Sequence, residues 1–287
     1  MARRLRAAFA ALLLTAAPAT AAPALWLVRD ADTEIVLFGT IHALPPGGEW
    51  LTPRISRRVD AADTLIVETV IPDDRGVLAQ AVTRLGYSPK LPPLDARVAP
   101  SRRGKLGSAV RSTGLAIAAL DRMETWLAAI TLGDATIARL GLDPAAGVDA
   151  TLVARVRGAG RPVVGLETPE QQLGYFDTLP ETDQRALLDA TVDDVATARA
   201  DTARLLAAWG AGDTAAIAAD FRDALRATPR LAKVLLTDRN AAWAGWIKAR
   251  LDQPGRVFVA VGAAHLAGPD SVQAKLAAMG VTVERLP

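Results

Sequence analysis

From residue 24 onward the spacing of polar and apolar positions changes several times, and each change marks an element. Ala24 to Val28 and Glu34 to Phe38 are short apolar runs separated by the polar turn Arg29-Asp30-Ala31-Asp32-Thr33, a pattern that predicts a β-hairpin. A loop with Pro45, Pro46, Gly47 and Gly48 follows, then a helix from about Pro53 to Ala61 and a strand from Thr64 to Thr69. This strand, helix, strand order reads as a βαβ unit. Its strands, 34 to 38 and 64 to 69, are expected to be parallel neighbours joined by a right-handed crossover.

From about Asp73 to Gly160 the pattern is helical and alanine-rich, with Asp149 heading a segment, Ala150 to Arg157, that leads into a strand at Pro162 to Leu166. Residues 170 to 250 are helical again: Leu188, Val192 and Val195 recur at i, i+4 and i+7, and Leu205 and Trp209 at i, i+4. Pro254-Gly255 breaks the run. A strand at Val257 to Val261, a helix over about Ser271 to Met279 capped by Gly280, and a strand at Val281 to Arg285 complete the chain. The expected fold is α/β: a mixed, mainly parallel sheet built from both ends of the chain, with a large helical middle section. Residues 22–287 are expected to form a single domain carrying a helical insertion at about 73–250.

The first 21 residues follow a different pattern. Arg3, Arg4 and Arg6 form a basic segment, Ala7 to Ala17 an apolar one, and Ala19-Thr20-Ala21 a small-residue cleavage site, as in a secretory signal peptide. The apolar run is far shorter than the roughly 20 residues that span a bilayer, so a protein released into the periplasm or medium is expected, without a stable membrane span. No cysteine follows the apolar run, which excludes a lipoprotein anchor.

Cleavage changes the charge. Lys+Arg falls from 33 to 30 against 31 Asp+Glu, so a net +2 becomes −1, and the basicity of the precursor gives no reason to expect a nucleic-acid partner. The chain has no cysteine at all. Disulfides, thiolate metal ligands and a cysteine nucleophile are therefore excluded, and any metal must be held by histidine, carboxylate or backbone oxygen.

The candidate chemistry lies at strand ends. The two histidines of the chain, His42 in GTIHALP and His265 in GAAHLAG, each follow a strand and each stand three residues after a glycine. Glu68 ends the strand LIVET, Glu167 ends Pro162 to Leu166, and ligands in open α/β sheets collect at the carboxyl ends of parallel strands. Two histidines and a carboxylate suit a catalytic divalent cation, and the glycines allow a sharp exit from the strand or clear space for a pocket. Each residue has a plainer reading too. A strand-end histidine can be a structural hydrogen-bonding group, and Glu68 can pair with an arginine. Glu167 precedes a helix opened by Thr168 as N-cap and Pro169 at N1, Asp149 suits an N-cap, and Arg239 and Asn240 in TDRNAAW suit a solvated face or an ion pair.

In order along the chain, GTIHALP, LIVE, GVDATL, GLETPEQQL, TDRNAAW and VGAAHLAGPDSV resemble the TraB/GumN family, which is related to the Tiki proteases and more distantly to ChaN-like and erythromycin-esterase-like proteins. The resemblance runs from about residue 24 to 285. It implies a metal-dependent hydrolase acting on a peptide or another amide or ester. His42, His265 and Glu68 would be its metal-binding signature, manganese or cobalt its metal, with zinc also compatible with such ligands. Glu68 would serve as ligand or general base, Arg239 would steady an oxyanion or substrate carboxylate, and Glu167 and Asp149 fall in matching blocks. Two other classes are compatible with the same residues. One is a carrier of haem or metal without turnover, with Tyr87 or Tyr175 among its possible axial ligands. The other is a metal-free hydrolase in which a histidine acts as general base.

Overall fold

The computed structural model describes residues 22–72, 74–226 and 228–287. The leader expected over residues 1–21 lies outside the described residues. Six strands, β1 (Leu25–Arg29), β2 (Thr33–Thr40), β3 (Thr64–Thr69), β4 (Val163–Glu167), β5 (Gly255–Gly262) and β6 (Val283–Leu286), form one sheet in the order β4-β3-β5-β2-β1-β6. The four strands from β4 to β2 are parallel, while β1 runs antiparallel to both β2 and β6. The fold is therefore α/β with a mixed, mainly parallel sheet drawn from both ends of the chain.

The β-hairpin and the helix Pro53–Ala61 occur as the pattern predicts, the helix opened by Thr52, whose hydroxyl accepts from the Ile55 amide at 3.4 Å. One expectation fails. β2 and β3 are parallel but are not neighbours, because β5 lies between them and pairs with both. The reason is burial: β5 is apolar on both faces, with Val257 through Val261 at most 1% exposed, and the strand that most needs cover takes the middle of the sheet. Its distance along the chain, about 190 residues beyond β3, leaves no local trace of that order.

Alternation along the strands divides the core into two layers. Leu27, Phe38, Val67 and Phe258 face the helices Pro53–Ala61 and Val148–Gly158 together with Trp209 and Ile217. Val28, Leu37, Ile66 and Val259 face Trp243, Ala244 and Ile247 of the helix Arg239–Arg250 and Val272 and Leu276 of the helix Val272–Ala278. Phe38 sits among Trp50, Trp209 and Phe258 with ring centroids 6.0, 6.4 and 5.8 Å away, so truncating it to alanine is expected to cost about 3–5 kcal/mol. The helical middle has a core of its own around Leu106, Leu120, Ala128, Leu132 and Leu188. Among the described residues no helix is long and apolar enough to cross a membrane.

Candidate functional site

The carboxyl ends of β2, β3, β4 and β5 lie on one side of the sheet because these strands are parallel, and each delivers one polar group there. β2 leads to His42, β3 to Glu68, β4 to Glu167 and β5 to His265. The helix Arg239–Arg250 adds Arg239 and Asn240.

His42 is open to solvent, its side chain 69% exposed, and its Nδ1 lies 2.8 Å from Oδ2 of Asp149. The other oxygen of Asp149 accepts from the Thr40 hydroxyl at 2.9 Å. Asp149 is thus no helix cap. Gly147 is the N-cap, and Asp149 in the first turn reaches across to the histidine. Gly147 makes this possible: a Cβ there would stand 2.1 Å from the His42 carbonyl oxygen, and the next amide, of Val148, donates to the Ile41 carbonyl at 3.0 Å. The Asp149 hydrogen bond, helped by the charges of Asp149 and Glu68, raises the His42 pKa to about 9.

Glu68, Glu167 and Arg239 form a buried ion triad. Arg239 grips Glu167 with two parallel contacts, Nε to Oε1 and Nη2 to Oε2, both 2.9 Å, and its Nη2 also reaches Glu68 Oε2 at 2.5 Å. Gln172 bridges the two carboxylates at 3.3 and 3.2 Å, and the Trp243 indole N–H donates to Glu167 Oε1 at 3.0 Å. The guanidinium lies over the Trp243 ring, 4.6 Å from its centroid, and 5.5 Å from that of Tyr175. Burial pushes the Glu68 carboxyl up, but neighbouring positive charge and the Gly262 amide, which donates at 2.7 Å, hold it well below the usual range. Two carboxylates thus share one guanidinium, leaving a net negative charge in a buried place.

His265 is 5% exposed and packs at a tilt against Trp243, with ring centroids 4.4 Å apart and planes at 48°. Its Nε2 lies 3.2 Å from Arg239 Nη1, and arginine can only donate, so Nε2 carries a lone pair and Nδ1 the proton. That proton goes to Asn240 Oδ1 at 2.5 Å, while the Asn240 amide donates to the Asp270 carbonyl at 2.9 Å. Burial, with the Arg239 charge adding to it and the Glu68 charge opposing it, lowers the His265 pKa to about 4, so at neutral pH the ring is uncharged.

Both glycines of the paired motif act by the space they leave, since neither has a positive φ. A Cβ on Gly262 would stand 3.1 Å from Glu68 Oε1, 3.5 Å from His265 Cδ2 and 3.7 Å from His42 Nε2, so three candidate groups meet over this one position. A Cβ on Gly39 would instead stand 3.0 Å from the Ala263 Cα, within the turn that carries His265. The parallel register pairs Gly39 with Val261 and Thr40 with Gly262, so the two motifs are one residue out of step.

The donor set suits a divalent cation in type and orientation. Each histidine is held through Nδ1 by an acceptor, which frees Nε2 as in buttressed metal-ligating imidazoles, and the shared guanidinium leaves negative charge to neutralise. The spacing is less complete. His265 Nε2 is 3.7 Å from Glu68 Oε1 and is engaged by Arg239, and among the described residues no three His, Asp or Glu side chains stand close enough to hold an ion as they are.

The model for the TraB/PrgY/gumN family matches residues 24–285, nearly the whole described chain. The chain belongs to the TraB/PrgY/gumN family. It is similar to the uncharacterized protein YbaP of Escherichia coli strain K12, 27% identical over 250 residues that cover 86% of this chain and 89% of that protein. A similar protein of the same name from Shigella flexneri matches at the same identity and coverage. No solved structure matches.

Of the positions named from sequence, His42, Glu68, Glu167, Arg239 and His265 come together in this TraB/PrgY/gumN site, with Asp149 and Asn240 behind the histidines. Tyr175 borders Arg239, whereas Tyr87 is exposed in the helical section, in a bridge with Met123. Gln172, Trp243 and the close approach of Gly147 were not singled out. Their signal lay inside the blocks themselves, since Trp243 follows Arg239 by one helical turn and Gln172 stands five residues after Glu167.

Proposed function

We propose that this chain is an exported hydrolase that cleaves a peptide or related amide or ester bond at the strand ends around Gly262. The export part rests on the leader-like residues 1–21. The observation that carries the chemical part is the shared orientation of the histidines: each is fixed through Nδ1, and both rings and Glu68 Oε1 crowd the space beside Gly262. His42, His265 and Glu68 would hold a divalent cation, with manganese or cobalt favoured by the family resemblance and zinc compatible. When bound, such an ion makes water a better nucleophile and polarises the carbonyl.

The residues divide the remaining work. With Nε2 of both histidines committed to the ion, Glu68, whose Oε1 borders the same space beside Gly262, is the carboxylate placed to accept a proton from attacking water. Arg239, aimed by Glu167, Gln172 and Trp243, presents positive charge where a carbonyl oxygen becomes negative. The bond from carbonyl carbon to nitrogen or oxygen breaks, the water oxygen joins the carbon, and the proton passes to the leaving group.

Elemental analysis of the purified protein after reconstitution, beside His42→Ala and His265→Ala, tests the ligand assignment. A wild-type protein that holds no divalent metal would sink it, and so would equal metal content in all three.

A metal-free variant of this chemistry has its own support in the position of Arg239, a cation already seated among Glu68, Glu167 and the His265 lone pair. In that reading the Asp149-His42 pair becomes the base once the ring has given up its proton, as the pH rises through about 9, and Arg239 is the sole electrophile. Hydrolysis that survives exhaustive chelation selects it. A haem carrier gains no comparable support: a cavity of about 710 Å³ among the described residues is lined by no histidine, tyrosine or methionine.

A further inference from the structure

That cavity is an open cleft between the helices Thr125–Arg139, Glu181–Asp194, Ala198–Gly210 and Thr214–Ala224, and its lining has a definite chemistry. Ile130, Ile137, Leu205 and Phe221 make much of its wall apolar, and five aspartates face it against a single arginine. Arg204 is already engaged by Asp201 at 2.9 Å and Asp220 at 3.2 Å. Asp134 and Asp194 have no ion-pair partner among the described residues. An apolar trough with uncompensated carboxylates is complementary to a ligand that alternates apolar and cationic groups, and unsuited to an acidic one.

The cleft and the strand-end site are linked through one stretch of chain and one core cluster. Burial raises the Asp134 pKa, against a smaller opposing effect of the His42 charge. Beyond the helix Thr125–Arg139, which carries Asp134, the chain turns through Asp143, whose backbone pairs with Leu44 just beyond His42, and reaches Gly147 and Asp149. Leu205 and Phe221 pack into the same core cluster as Val148, and Trp209 in that cluster donates its indole N–H to the Gly39 carbonyl at 2.8 Å.

We propose that this cleft is the docking groove for a peptide segment in which lysine or arginine alternates with apolar residues, a segment of the chain that the strand-end site cleaves. The assignment rests on the hydrolytic reading above, and it adds the class of substrate.

The test is fluorescence anisotropy with the purified full chain and three labelled peptides that alternate leucine with lysine, with glutamine or with glutamate. The leucine-lysine peptide is expected to bind about tenfold more tightly than the leucine-glutamine one at low salt, an advantage that shrinks as salt is added. Asp134→Asn with Asp194→Asn should remove most of that advantage, and Thr202→Arg, which sets a cation in the same wall, should do so independently. Circular dichroism confirms that both variants fold. Equal binding of the lysine and glutamine peptides overturns the proposal, as does a preference untouched in both variants. Cleavage is scored separately. Binding with charge preference but no cleavage, with or without added manganese, cobalt or zinc, sinks the hydrolase and leaves the groove standing. Cleavage without charge preference does the reverse.

Discussion

The two strand-to-histidine turns look alike in sequence and behave as opposites in the fold. His42 is 69% exposed, tied to a carboxylate and pushed toward the charged form, with a pKa near 9. His265 is 5% exposed, tied to an amide, packed at a tilt against an indole and pushed toward the neutral form, with a pKa near 4. The glycines differ in the same way, Gly39 clearing backbone for the other turn and Gly262 clearing the site. A repeated motif therefore supplies two complementary parts: a solvent-facing imidazole suited to moving protons, and a buried one suited to holding position.

The sharpest way to break the comparison is through Arg239, which serves the buried half alone. Arg239→Leu leaves Glu68 and Glu167 buried without their cation and is expected to cost about 3–5 kcal/mol in urea denaturation. A loss below about 1 kcal/mol would show that the triad is not desolvated as described.

The glycines come next. Gly39→Ala brings a methyl to 3.0 Å from the Ala263 Cα, so it should cost about 1–3 kcal/mol in stability. Gly262→Ala meets side-chain atoms at 3.1 to 3.7 Å, so it should fold better than Gly39→Ala yet lose most of its hydrolysis and metal content. Equal stability of the two would remove the distinction between them.

Replacing the histidines gives a smaller separation. His265→Ala empties a packed position against Trp243 and should cost about 1–3 kcal/mol, while His42→Ala, at an exposed site, loses only its pairing with Asp149, should cost about 0.2–1 kcal/mol at neutral pH and still abolish turnover. Both are read from thermal melts beside a hydrolysis assay.

Proton titration of the metal-free protein is the finest probe. His42 has a folded pKa above its ordinary 6.5, so its contribution to stability is fully present below pH 6.5 and is lost as the pH rises through about 9. His265 has a folded pKa below 6.5: as the pH falls from 6.5 toward 4 the unfolded chain takes up a proton that the folded chain refuses, and stability drops. Asp149→Asn should return the His42 midpoint toward 6.5 in an NMR titration and leave that of His265 unmoved. A His42 midpoint that stays near 9 in this variant would mean that Asp149 is not its cause.

How much of this could be read from the chain depended on distance. The helix Pro53–Ala61 and the strand Thr64–Thr69 have the bounds their local pattern predicts, because capping and alternation are written within a few residues. The site's members were visible as charged or imidazole groups at the ends of apolar strands, where an unpaired carboxylate such as Glu68 demands a partner. The sheet order was not visible, since nothing near Thr40 or Thr69 specifies that β5 separates them. Nor was the partnership of Asp149 with His42, which depends on Gly147 allowing two backbones to touch across about 105 residues of chain. Trp243 and Gln172 read as ordinary helix residues until Arg239 and the carboxylates are placed around them.

The central position of β5 also fixes when, during synthesis, the site can exist. Strands β2 and β3 emerge from the ribosome early, but they share no partner until residues 255–262 have been made and inserted between them. His265 and the glycine over which the three groups meet arrive on that same late segment. A chain that stops short of it carries His42, Glu68 and Arg239 yet cannot close the sheet that brings them together, so completeness of the chain is a condition for assembling the site.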